Sequence, residues 1–181
     1  MNDQEQLIQA TQSWVEKAVI GLNLCPFAKA AHIKNQIRYV VSSATDVNGL
    51  HADLLNEIEF LLESSPQKVE TTLLIHPGVL NDFLDFNDFL DVADALLVDL
   101  EAEGLVQIAS FHPAYQFFGS KADDIENFTN RSPYPTLHLL REDSIEQAVN
   151  TFPDTDEIYQ KNIETLQCLG LDGWKKLFIE K

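Results

Sequence analysis

His76 and His112 stand in the same local context. Each ends an apolar run, "TTLLIH" and "QIASFH", and each is followed by proline. An imidazole titrates near neutral pH, so it can move a proton or ligate a metal. Ligands of open α/β sheets gather beyond the carboxyl ends of parallel strands. Two histidines at such ends would form an acid/base pair if their strands run in one direction at one sheet edge. The competing reading is that proline stops each strand and histidine is only its polar terminus. A metal centre needs further ligands at close spacing. Neither H-x-x-x-H nor C-x-x-C occurs, so no metal ligands are assigned.

The second candidate is the stretch "NFTNRSPYP", within the roughly 20-residue segment that follows the second His-Pro. Arg131 is one of three arginines in the chain and is flanked by Asn130, Ser132 and Tyr134. A guanidinium among amide and hydroxyl groups can hold a carboxylate or phosphate through several donors. Long ordered loops in compact domains are often functional. The alternative is that "SPYP" is a stiff turn and Arg131 a structural partner of a nearby aspartate.

Cys25, in "NLCPFAKAA", is the one candidate nucleophile. Cys25-Pro26 is similar to the redox segment of thioredoxin-like and glutathione-transferase-like proteins, but Ala28 stands where a second cysteine would be needed. A lone thiol becomes a nucleophile only where its thiolate is stabilised; otherwise it packs as a small hydrophobe. Asp82, Asp85, Asp88, Asp91 and Asp94 resemble a cation ladder. At 3.6 residues per turn, steps of three wind around the helix instead of converging, which predicts a solvated face. His138 alternates with leucines and reads as a partly buried, hydrogen-bonded strand residue.

The elements that must position these residues follow from periodicity. Helical spacing covers 4–20, 48–63 and 81–104, the last with Asn81 as the predicted N-cap and Gly104 as the predicted C′ glycine. Strands are predicted over 36–43, 69–76, 105–112 and 136–142. A further helix starts after Asp143 or Ser144, and Pro153 restarts a last helical segment over roughly 154–169. The order is α-βαβαββ-αα. It implies one α/β domain, with α+β as the alternative, built on a mixed sheet of about four strands with helices packed on it. The element order also matches thioredoxin-like folds, with a ferredoxin-like split arrangement as its rival.

Composition narrows the function classes. The formal charge is −17, and residues 42–112 alone hold fourteen acids against one base. Such a surface repels nucleic-acid backbones and anionic membranes. No apolar run approaches the roughly 20 residues a membrane helix needs, and the N-terminal stretch lacks the pattern of a secretory signal. Two cysteines are too few for a disulfide scaffold, so a cytoplasmic setting is expected. No phosphate-cradling glycine motif is present, and the cofactor is unknown.

The segments "GLNLCPFA", "HPGVLNDFLDF", "QIASFHPAYQFFG" and "NFTNRSPYPTLHLLRED" together resemble the bacterial family called domain of unknown function 1415. The resemblance runs over nearly the whole chain. It implies a single-domain bacterial cytoplasmic protein and carries over no activity and no catalytic residue.

Two functional expectations result. One is an enzyme performing hydrolysis or group transfer on a small anionic metabolite, with Asn130, Arg131, Ser132 and Tyr134 binding it. His76 and His112 would move protons, and Cys25 is the candidate nucleophile. The other is a non-catalytic binding or protein-interaction module. Oligomeric state is not legible in the sequence.

Overall fold

The computed structural model describes residues 3–151 and 155–179, with side chains described except at 148–151 and 155–156. The expected break at Pro153 lies outside the described residues. Four strands form the sheet: β1 (Ile37–Val41), β2 (Thr71–Ile75), β3 (Val106–Phe111) and β4 (Thr136–Arg141). Their order is β1-β2-β4-β3. β1 and β2 are parallel, and β4 runs antiparallel to both β2 and β3.

The connection between β2 and β3 is therefore split. Both strands point the same way, helix α4 (Phe83–Asp99) carries the crossover, and β4 slots between them. β2 is covered on both faces and flanked on both edges, which is why all five of its residues are apolar or threonine and all are buried.

Alternation along the strands sorts the sheet into two faces. Leu74, Leu137, Leu139 and Val106 pack on α4 and on α3 (Val47–Glu63), against Leu50, Leu54, Phe86 and Phe89. Leu73, Ile37, Tyr39 and Phe111 pack on the other side, against Trp14, Val15 and Ala18. Those three belong to α1 (Asp3–Trp14) and to the wider π turn that prolongs it over Val15–Ile20; a short helix, α2 (Ala28–Ile33), then leads to β1. The result is an α/β/α sandwich. Complete burial of one side chain such as Phe86 contributes about 1.5–3 kcal/mol.

Helix ends differ in detail from the sequence expectation. Asp82, not Asn81, caps α4: its carboxylate accepts from the Leu84 and Asp85 N–H groups at 2.8 and 3.3 Å. Asn81 instead donates to the Pro77 carbonyl. The helix ends at Asp99, before Gly104, and Glu101 takes a left-handed φ of 52° in the turn that follows. Helix α5 (Glu142–Thr151) starts directly from β4, ahead of the expected caps. Helix α6 (Thr155–Leu177) continues past residue 169, with Gly170 absorbing a kink at φ 64°. That extension brings Trp174 onto the α1 face.

Candidate functional site

His76 and His112 lie at one sheet edge, on the α4 face, with β4 between their strands. Each backbone N–H donates across the gap, His76 to the Pro135 carbonyl (3.0 Å) and His112 to the Asn130 carbonyl (3.1 Å). Both rings pack on Phe86, with centroids 5.6 and 5.1 Å away, and His112 also meets Phe83 at 5.5 Å. The rings are 0% and 1% exposed, so they share a packed aromatic cluster instead of an open cleft.

Their nitrogens have specific work. The Ala114 N–H donates to His112 Nδ1 (3.0 Å), which fixes the proton on Nε2. His112 Nε2–H then donates to the Leu80 carbonyl (3.2 Å). His76 Nδ1–H donates to the neighbouring Val79 carbonyl (3.1 Å). Both imidazoles thus clamp one turn, 77–82, in which Leu80 has a left-handed φ of 57°. Gly78 is required in the same turn, because a Cβ there would lie 2.7 Å from the Ala44 carbonyl oxygen. Burial lowers the pKa of His76 to about 4 and moves His112 in the same direction. Both are neutral at pH 7. His76 Nε2 is buried and has no partner among the described residues.

The long segment after Pro113 is ordered by its own side chains. Asn127 is fully buried; its Oδ1 accepts from the Phe117 N–H and the Ser120 hydroxyl, and its Nδ2 donates to the Lys121 carbonyl. Residues Ile125–Asn130 form a 3₁₀ helix. Asn130 Nδ2 turns back to the Ser110 carbonyl, and Ser132 Oγ donates to the Tyr134 carbonyl. Arg131 donates from Nε to Tyr115 O (3.1 Å) and from Nη2 to Ala122 O (2.6 Å), and its Cζ lies 4.3 Å from the centre of the Phe128 ring. Its Nη1 has no hydrogen-bond partner among the described residues.

Arg131 and Ser132 open onto a groove of about 440 Å³ between α1, α6 and the loop. Trp14, Phe128, Trp174 and Phe178 form its walls, with Pro113 and Pro133 at its margin. Phe128, Trp174 and Phe178 are linked edge to face, at 5.2 and 5.7 Å. Neither His76, His112, Asn130 nor Tyr134 lines this groove. Burial lowers the Arg131 pKa while Asp123 raises it, and the guanidinium stays charged.

Cys25 is elsewhere. It shares a recess with Thr71 and His138, which belong to the α1 face and to the far end of the sheet. Thr71 opens β2, and His76 follows its last residue, so they stand five steps apart, roughly 16 Å of strand. Burial raises the Cys25 thiol above its ordinary pKa, against the Phe27 and Ala28 N–H groups that lower it. The recess adjoins a cleft of about 810 Å³ near Lys34, Glu70 and Arg141. Sequence reasoning missed this cleft, because its walls come from residues 26–36, 62–70, 105 and 141–147 and no local motif joins them. Among the described residues, no group of three or more His, Cys, Asp and Glu side chains could hold a metal ion. None of their helices is long and apolar enough to cross a membrane.

One family model matches the chain, described as "Protein of unknown function (DUF1415)", over residues 6–176. Neither a curated protein nor a solved structure matches it.

Proposed function

The chain belongs to the DUF1415 family of proteins of unknown function, and we propose that it binds a small carboxylate with an aromatic or alkyl body in the Arg131 groove. The observation supporting this reading is that, among the described residues, Arg131 is the only charged one lining a groove whose walls are otherwise aromatic rings, prolines and small side chains. Its volume of about 440 Å³ falls within the range of small-molecule sites, roughly 300–1,000 Å³. The groove also adjoins Pro113, just beyond the carboxyl end of β3, where α/β sheets commonly gather ligands. A carboxylate can take the unengaged Nη1 protons while its apolar body lies on Trp174 and Phe178. A phosphate would need more donors than one guanidinium nitrogen supplies, and the Ser132 hydroxyl proton is already given to the Tyr134 carbonyl.

Binding is favoured over turnover by the histidines. A general base must reach its proton within about 2.6–3.2 Å or through one water. Both ring nitrogens of His112 already hold backbone groups, and His76 sits on the opposite face of the sheet from the groove.

Thermal unfolding with phenylacetate, indole-3-acetate and octanoate tests the reading. A ligand of the native state raises the midpoint. At least one of these carboxylates is expected to do so, and phenylacetamide is not. Trp174→Ala should abolish the response while the protein remains folded, and Arg131→Lys should weaken it about tenfold, the equivalent of roughly 1.4 kcal/mol. A panel in which the amide matches the acid, or nothing shifts the midpoint, removes the reading.

A further inference from the structure

Two concavities meet at the amino end of β2. The larger, about 810 Å³, and the smaller, about 50 Å³, share Phe27, Ala31, Glu70, Arg141 and Ser144. The smaller is a recess under the larger, lined by Cys25, Ala28, Thr71, His138, Leu140 and Ile145.

The inner lining of the recess is neutral. The Thr71 hydroxyl gives its proton to the Leu139 carbonyl (2.6 Å). It must then accept from His138 Nε2–H at 2.6 Å, which fixes a neutral imidazole tautomer. Burial holds His138 at a pKa of about 4 and keeps the Cys25 thiol protonated. The same desolvation that makes these two poor ionised catalysts suits the recess to an uncharged tail. One water-sized group needs roughly 10–15 Å³, so the recess has room for about three or four.

The rim is not neutral, and it carries both signs. Arg141 and Lys34 stand with Glu70 and Asp143 around the larger cleft. Arg141 uses Nε and Nη2 to hold the Val69, Leu61 and Ser64 carbonyls, and its Nη1 has no hydrogen-bond partner among the described residues. Glu70 and Asp143 lie close enough to stabilise its charge, yet neither makes an ion pair with it. A simple carboxylate entering here would meet two like charges, and a simple amine would meet two others. A zwitterion meets a complement for each of its ends.

We infer that this two-part cleft binds a small zwitterion with a short branched apolar tail, an α-amino acid of the size of valine or leucine: the tail in the Cys25 recess, the carboxylate toward Arg141 and Lys34, and the ammonium toward Glu70 and Asp143. The site is separate from the Arg131 groove, and either can fail without the other.

Calorimetric titration with L-leucine and L-valine tests it, with isovalerate and isopentylamine as single-charge controls. At least one amino acid should bind with a Kd of about 1 mM or tighter, and each control at least tenfold more weakly. Ala28→Leu should fill the recess and Glu70→Gln should remove one charge, each weakening binding at least tenfold while the wild-type melting temperature is kept. Because Ala28→Leu can disturb the short helix it sits on, a second measurement uses an otherwise intact chain. In a Cys168→Ser protein, the bound amino acid should slow alkylation of Cys25 by N-ethylmaleimide. The inference is overturned if neither amino acid binds, if isovalerate binds as tightly as leucine, if binding survives Glu70→Gln unchanged, or if saturating leucine leaves Cys25 alkylation at its original rate.

Discussion

His112 donates its backbone N–H to the carbonyl of Asn130, the residue before Arg131, yet His112 and Arg131 use their side chains in different ways. The His112 ring is closed in by Phe83 and Phe86, and both of its nitrogens hold backbone groups. Arg131 also holds two carbonyls, but its Nη1 has no hydrogen-bond partner among the described residues, and the residue lines an aromatic groove. Both residues stand at the carboxyl end of β3, so location does not distinguish them. What distinguishes them is the number of donors and acceptors left over once the local backbone has been satisfied. A polar residue with nothing left over is architecture; one with a free donor facing a cavity can meet a ligand.

The largest test of this contrast is His112→Ala. The substitution opens a cavity beside Phe83 and Phe86 and leaves the Leu80 carbonyl and the Ala114 N–H without their partners. Loss of a buried ring of this size, with two backbone groups unpaired, should cost about 3–5 kcal/mol. Urea unfolding reads the change directly. Trp174→Ala, at a half-buried groove wall, should cost clearly less and instead erase the carboxylate response. If His112→Ala proves nearly as stable as wild type but loses a ligand response, the contrast is broken and His112 returns to the site.

The next effect is on pH dependence. The folded chain holds His76 and His138 at pKa values of about 4, against an ordinary value of 6.5, and burial is the main cause in both. Between pH 6.5 and 4 the unfolded chain therefore takes up protons that the folded chain refuses. Stability is fully present above pH 6.5 and falls as pH drops toward 4, by roughly 3 kcal/mol per histidine. Relief of repulsion in a chain of charge −17 acts in the opposite direction as carboxylates protonate. The histidine contribution is isolated by difference. His76→Asn, whose amide can still donate to Val79, should lose part of the slope between pH 6.5 and 4.5 in denaturant midpoints. An unchanged slope would mean that His76 takes up its proton in the folded state, which would be consistent with an accessible Nε2 and an acid/base role.

Much of this architecture was legible in the sequence because it is set locally. The stripe Phe86, Phe89, Ala93, Leu96 and Leu97 is buried as its spacing requires, and the aspartates between are exposed. The four strands were legible from their apolar and β-branched runs. Their order was not, because the placing of β4 beside β2 is decided by pairing across more than 60 residues. For the same reason His76 and His112 could be placed at strand ends, but not on the face opposite Arg131. The loop looked irregular because its order comes from Asn127 and Arg131 bonding to carbonyls, which leaves no periodic trace. The three arginines show the limit clearly. Arg38 pairs with Glu57 at 2.8 Å, Arg141 caps the end of α3, and Arg131 pins the loop. Their types are identical, and only the fold assigns their partners.

The same contrast recurs at a smaller scale within α4. Asp82 and Asp88 are both exposed aspartates of one helix, six residues apart. The Asp82 carboxylate accepts from two N–H groups of the first turn, which no other residue of the helix can satisfy. Asp88 makes no such bond and faces water. Asp82→Ala should cost about 1 kcal/mol, as loss of an N-cap does, and Asp88→Asn should stay within about 0.5 kcal/mol of wild type. Paired urea curves at pH 7 resolve a difference of that size. If the two substitutions cost the same, engagement of side-chain atoms is not what separates architectural residues from free ones in this helix, and the contrast drawn between His112 and Arg131 loses its smallest and cleanest support.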